Sequence, residues 1–290
     1  MYRLALFLFI LASLSIPVIV AVYLEKIEYE PYKINEDNAY SRTISLMNEQ
    51  VVEDSFSFLE DRKFTGTRNS SPTVCILDVF DVEEGSTYSH GERVMHMVGK
   101  RYQGPVTILP VEHFTFLKTP MEEWNKCDVI NYSMGVESDN INTLIEKEFV
   151  RFLEQYDGIF IASAGNSGKT ENSSQWAYIR EKHPTLNTDN LFIVTQGQIS
   201  DIGEQDAVSA AIKTSYGASI DLVVFNYGEY LYGQKQHGSS FASPVVTSVV
   251  ANLLASGMPK EEVITKLNTL PNIEIGSYQY KQFAISNMYN

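Results

Sequence analysis

An α/β fold with a mainly parallel sheet between helices is what this 290-residue chain predicts, on three observations. Short β-branched or aromatic runs of strand length recur along it, stretches with a helical apolar period fall between several of them, and one late run is apolar almost all the way round. Apolar runs alternating with helices favour a parallel sheet covered on both faces, and a helix without a polar face belongs in a protein interior. At 44% hydrophobic content the chain can bury one large core, and no internal repeat divides it.

In chain order, strands are predicted at TVCIL (73–77), VTILPV (106–111), CDVINY (127–132), GIFIASA (158–164), LFIVTQ (191–196) and IDLVVF (220–225). Helices are predicted at 91–100, at the short MEEWN (121–125), and at 141–156, where apolar residues at 141, 144, 145, 149, 152 and 153 keep one face. SSFASPVVTSVVANLLASG, 239–257, is the helix expected in the interior. Sheets of this kind bind ligands beyond the carboxyl ends of their strands, so reactive side chains are expected there.

Three segments are expected. Met1, Tyr2 and Arg3 precede residues 4–24, which carry no charge and approach the ~20 residues that span a bilayer. Residues 1–24 therefore read as an export signal, either cleaved or kept as an anchor through 4–24, and they place the rest in a secreted, periplasmic or outward-facing membrane location. Residues 25–70 mix aromatic and acidic side chains, with a loose helical pattern at 38–59, and the turn-rich KFTGTRNSSP (63–72) marks a boundary before the main domain at 71–290.

The net charge of −14 is spread along the chain with no basic stripe, which opposes binding to a nucleic-acid backbone. Cys75 and Cys127 are the only cysteines; one bridge and a pair of buried thiols both fit their apolar surroundings.

Four polar residues fall where chemistry is expected. Asp78 follows VCIL at a strand end, His90 stands at a helix mouth, Asn166 follows GIFIASA, and Ser240 opens the buried helix. Each has a plain structural reading: a turn aspartate, a helix-entry histidine, a left-handed turn asparagine beside Gly165 and Gly168, and an N-cap. Together they supply an acid to orient a base, the base, an oxyanion donor and a nucleophile, which is what amide hydrolysis needs.

The order Asp, His, Asn, Ser, with the serine in GSSFASP ahead of an apolar helix and the asparagine in AGNSG, resembles the subtilisin-like serine proteases, the subtilases. The similarity covers about residues 71–270. It implies a three-layer subtilisin-like fold and a serine endopeptidase in which Asp78, His90 and Ser240 form the triad and Asn166 donates to the oxyanion. It further implies that Ser133, Met134 and Gly135 in YSMGVES align the substrate backbone, with Gly165 at the back of the pocket for the residue before the scissile bond. The expected partner is a peptide or protein substrate. No cofactor or metal ligand set is predicted, since the calcium sites common in the family need oxygen clusters that cannot be assigned here.

The chain also departs from that pattern. DVF replaces the usual D(T/S)G, and HGER replaces HGTH. The path from Asp78 to His90 is short: at ~3.3 Å per residue it spans roughly 40 Å, enough to join the two but without room for the edge strand usual after the aspartate. Glu92 brings a carboxylate near the imidazole. Residues 25–70 are short for the family's prosegment and are either a reduced one or a permanent extension. These departures motivate an alternative, a catalytically impaired subtilase-fold binding protein tethered to the membrane.

Overall fold

A computed structural model describes residues 72–82, 88–101, 107–112, 119–135, 141–168, 174–202, 205–210, 214–225, 230–231, 234–235, 237–275, 277–283 and 288. The expectations for 1–24 and 25–70 lie outside these residues.

Seven strands form a parallel sheet in the order β11-β7-β5-β4-β3-β1-β2. They are β1 (Thr73–Asp78), β2 (Thr107–Glu112), β3 (Val129–Tyr132), β4 (Ile159–Ser163), β5 (Leu191–Ile202), β7 (Leu222–Phe225) and β11 (Tyr278–Phe283). Two antiparallel strands extend the sheet: β6 (Gln205–Ala210) on β5, and β10 (Asn272–Ile275) on β11. A separate ribbon pairs β8 (Tyr230–Leu231) with β9 (Gln234–Lys235).

Strand alternation divides the core. Val74 and Ile76 of β1, Val129 of β3, Ile159 and Ile161 of β4 and Val194 of β5 face one way, toward α1 (His90–Arg101), α5 (Ser239–Ala255) and α6 (Lys260–Asn268). Cys75, Leu77, Ile130, Phe160, Ala162 and Ile193 face the other, toward α2 (Met121–Trp124), α3 (Thr143–Gln155) and α4 (Gln175–Lys182). Both faces are covered, so the architecture is the three-layer α/β fold predicted. On the second face Trp176 takes the edges of Tyr132 and Phe160, with ring centroids 5.3 and 4.6 Å away.

Every residue of α5 is buried, as its lack of a polar face requires. Pro244 sits inside the helix and has no N–H for the Ser240 carbonyl one turn earlier, which leaves the helix mouth less tightly bonded than its body. Among the described residues no helix is long and apolar enough to cross a membrane.

The predicted strands are present with ends shifted by one or two residues, except that β5 runs six residues past the predicted 196, to Ile202. The sequence reading missed α4, α6, β6, β8, β9, β10 and β11, whose polar or short segments lack a clean period. Among the described residues no strand lies between Asp78 and His90, and β2, which follows α1, holds the edge beside β1. Cys75 and Cys127 are joined, with Cα atoms 5.8 Å apart. The bond ties β1 to the residue just ahead of β3.

Candidate active site

The four predicted residues all reach the carboxyl edge of the sheet. Asp78 is the last residue of β1, and the loop after it turns straight into α1: the Gly91 N–H donates to the Val79 carbonyl at 2.8 Å. Gly91 permits this close return, because a Cβ there would lie 2.8 Å from the Phe80 ring. His90 Nδ1 consequently meets Asp78 Oδ1 at 2.7 Å, and the Val79 N–H donates to the same oxygen at 2.7 Å. Asp78 is fully buried while the His90 side chain is 25% exposed, so the imidazole can be reached from outside and the carboxylate cannot. A carboxylate accepting at Nδ1 sets the tautomer: the proton sits on Nδ1 and Nε2 carries the free lone pair. Asp78 Oδ2 has no hydrogen-bond partner among the described residues.

Glu92 plays a local part. Its carboxylate accepts from the Ser89 N–H at 2.7 Å and pairs with the Ser89 hydroxyl at 3.0 Å, while the Glu92 N–H donates back to that hydroxyl. This is a reciprocal cap on the first turn of α1, and it occupies the carboxylate that the sequence placed beside the imidazole. His96 lies on the exposed side of α1.

The serine end is built on Gly238, Ser239 and Asn166. The Ser239 N–H donates to Asn166 Oδ1 at 2.9 Å; a backbone N–H can only donate, so the accepting atom must be the oxygen, and Nδ2 is left as the donor of an exposed amide. The Ser239 hydroxyl is shared between the Gly165 carbonyl at 2.9 Å and Asn166 Oδ1 at 3.0 Å. Gly238 has φ +107°, and a Cβ on it would come within 2.9 Å of the Asn166 amide, so only glycine fits this mouth. Ser240 is 8% exposed on the first turn of α5, where backbone N–H groups lack helical partners. Phe241, next to it, puts its ring 5.3 Å from the His90 ring, which brings the two ends of the site together. Among the described residues Ser240 Oγ makes no hydrogen bond, to His90 or to any other group.

Ser133, Met134 and Gly135 follow β3 on the same edge. The Ser133 hydroxyl is turned inward: it accepts from Asn131 Nδ2 at 2.8 Å and pairs with the Ser243 hydroxyl at 2.9 Å, while the Thr247 hydroxyl donates to Asn131 Oδ1 at 2.9 Å. These four buried side chains lock β3 to α5. The Ser133 side chain is therefore not offered to a ligand, and Ser163 steadies the backbone of this segment through a 3.4 Å bond to the Met134 carbonyl. Gly165, φ +89°, turns the chain from β4 toward Asn166.

Sequence reasoning passed over Gln196 and gave Ser239 no role of its own. Gln196 ends an apolar strand run with a buried amide, and that mismatch was the available signal. Among the described residues no group of three or more His, Cys, Asp and Glu is placed to hold a metal ion.

No family model and no curated protein matches the chain in sequence. Solved structures match it in fold. One is a structure of the subtilase cytotoxin SubAB, TM-score 0.57 and 15% identical over 82% of this chain and 93% of that one. Another is a protease from Pseudoalteromonas arctica PAMC 21717, TM-score 0.52 and 14% identical over 76% of this chain and 89% of that one. At these identities the likeness defines the class of fold, which is subtilase-like.

Proposed function

We propose that this chain is an exported serine endopeptidase. The observation that carries the reading is the pairing of buried Asp78 with partly exposed His90, 2.7 Å apart, on the same sheet edge as Ser240 and an asparagine amide held by its oxygen. Ser240 Oγ attacks the scissile carbonyl carbon, and its proton passes to His90 Nε2. Asp78 stabilises the imidazolium that results. Asn166 Nδ2 and the Ser240 N–H receive the oxyanion. Collapse of the tetrahedral intermediate expels the amine, which takes the proton from His90, and water then releases the acyl group by the same steps. The backbone of 133–135 aligns the peptide. Residues 1–24 and the Cys75–Cys127 bond support an oxidising, exported setting.

The test is fluorophosphonate labelling of the full chain beside Ser240→Ala, His90→Ala and Asp78→Ala. Ser240-dependent labelling is expected, with slower reaction in the other two variants; labelling that Ser240→Ala leaves intact, or none in any form, overturns the reading. One observation favours the impaired binding protein instead, the missing Ser240–His90 hydrogen bond. Catalytic hydrogen bonds in unliganded enzymes are often long and close in the Michaelis complex, so the endopeptidase remains the reading the site supports best.

A further inference from the structure

Three chain segments meet around Asn166, and the hydrogen bonds among them close into a circuit. Gln196 Oε1, on β5, accepts from the Gly238 N–H at 2.6 Å. The next residue, Ser239, donates its hydroxyl to the Gly165 carbonyl at 2.9 Å. That carbonyl also accepts from the Ser215 N–H at 2.9 Å. The Ser215 carbonyl receives the Thr195 hydroxyl at 2.6 Å, and the Thr214 hydroxyl returns to the Gln196 carbonyl at 3.1 Å.

Gln196 is the residue that belongs to both arms. Its side chain holds the serine mouth and its backbone holds the segment that clamps Gly165. It is 4% exposed, so it is not itself placed to meet a substrate. Gly238 is pressed against the Asn166 amide without space for a methyl group, and a shift of Gly238 is transmitted directly to that amide. The amide in turn keeps its oxygen on Ser239.

We infer that Gln196 is a positioning residue that sets the oxyanion donors, by fixing Gly238 against Asn166 at the mouth of α5. The inference rests on the endopeptidase reading for its kinetic consequence. The donors must lie 2.7–3.1 Å from where the oxyanion forms, so a displacement of a few tenths of an ångström costs rate rather than ground-state binding.

The experiment compares the full chain with Gln196→Leu, which removes the acceptor at similar volume, and Gln196→Glu, which keeps an oxygen for the Gly238 N–H. In peptide hydrolysis, Gln196→Leu is expected to lower kcat by about 10- to 100-fold, short of the ~10²–10³ for losing an oxyanion donor outright, with KM changed less than about twofold. Gln196→Glu is expected to recover most of that loss. If Gln196→Leu does not fold, Gln196→Asn, whose shorter side chain withdraws the oxygen, reads the same quantity. Equal losses in the Leu and Glu variants, an unchanged kcat, or a loss confined to KM overturns the inference.

A second measurement needs no activity. In protein labelled with ¹⁵N at glycine and asparagine, Gln196→Leu should shift the Asn166 side-chain amide signals and speed hydrogen exchange at the Gly238 N–H. Unchanged signals and exchange overturn the inference. A wild type that hydrolyses nothing strikes the endopeptidase reading instead, and the amide signals still decide whether Gln196 holds Gly238 in place.

Discussion

His90 Nδ1 donates to Asp78 Oδ1 at 2.7 Å, a contact between a helix mouth and a strand end separated by 12 positions in the chain. Replacing Asp78 by Asn removes the charge that favours the Nδ1–H tautomer and the imidazolium. Asp78→Asn is expected to cut peptide hydrolysis by about 10⁴-fold and to leave KM near its original value, checked by steady-state kinetics beside a thermal melt.

Ser239 divides its hydroxyl between Gly165 and Asn166. Ser239→Ala removes one donor from each acceptor while the Ser215 N–H stays on Gly165 and the Ser239 N–H on Asn166, and should cost about 1 kcal/mol of stability, read from denaturant unfolding. Hydrolysis should fall about tenfold as the Asn166 amide loosens. Ser239→Thr keeps the hydroxyl and should restore both, so a threonine variant as impaired as the alanine one would count against the bond.

The Cys75–Cys127 bond closes a loop with a sequence separation of 52. Loop-closure entropy for that length is worth about 4 kcal/mol, an upper figure on the chain-entropy account. Because both sulfurs are buried, mild reductant should leave the folded protein intact, while the double variant Cys75→Ser, Cys127→Ser should melt lower with and without reductant. A double variant as stable as wild type would show that packing alone joins β1 to β3.

Glu146 of α3 accepts from Lys182 at 2.7 Å and pairs with His183 at 2.9 Å at the end of α4. The Lys182 hydrogen bond, followed by that of His183, holds the Glu146 carboxyl below its usual range, and the Glu146 hydrogen bond raises Lys182. A depressed carboxyl stabilises the fold above its unfolded pKa and loses that effect as pH falls through the folded value. A raised lysine stabilises below its unfolded pKa and loses it as pH rises through the folded value. The cluster therefore contributes across neutral pH and fades toward both extremes. Glu146→Gln should melt a few degrees below wild type at pH 7, and the two should converge as pH falls through the lowered Glu146 value, below which both side chains are neutral.

Much of the site was legible because its chemistry is local. AGNSG and GSSFASP are contiguous, and a polar residue at the end of an apolar run marks a strand's carboxyl end without any tertiary knowledge. The role of Gly91 was not legible, since it depends on a Phe80 ring that only the turn from β1 into α1 brings near. Glu92 illustrates the reverse: proximity in sequence to His90 suggested an electrostatic partner, while the cap on Ser89 offered a nearer and better-aligned use for its carboxylate.

By itself the sequence determined the alternation of strands and helices, the interior place of α5 and the order of the four polar residues, because period and burial are written in short stretches of chain. Only the tertiary structure decided which strands lie side by side, that β2 holds the edge left vacant after Asp78, that the cysteines pair, and that Gln196 reaches Gly238 across 42 positions. The reason is physical: a hydrogen bond is set by tenths of an ångström and by direction, and partners far apart in the chain acquire that geometry only when the sheet has put their strands in order.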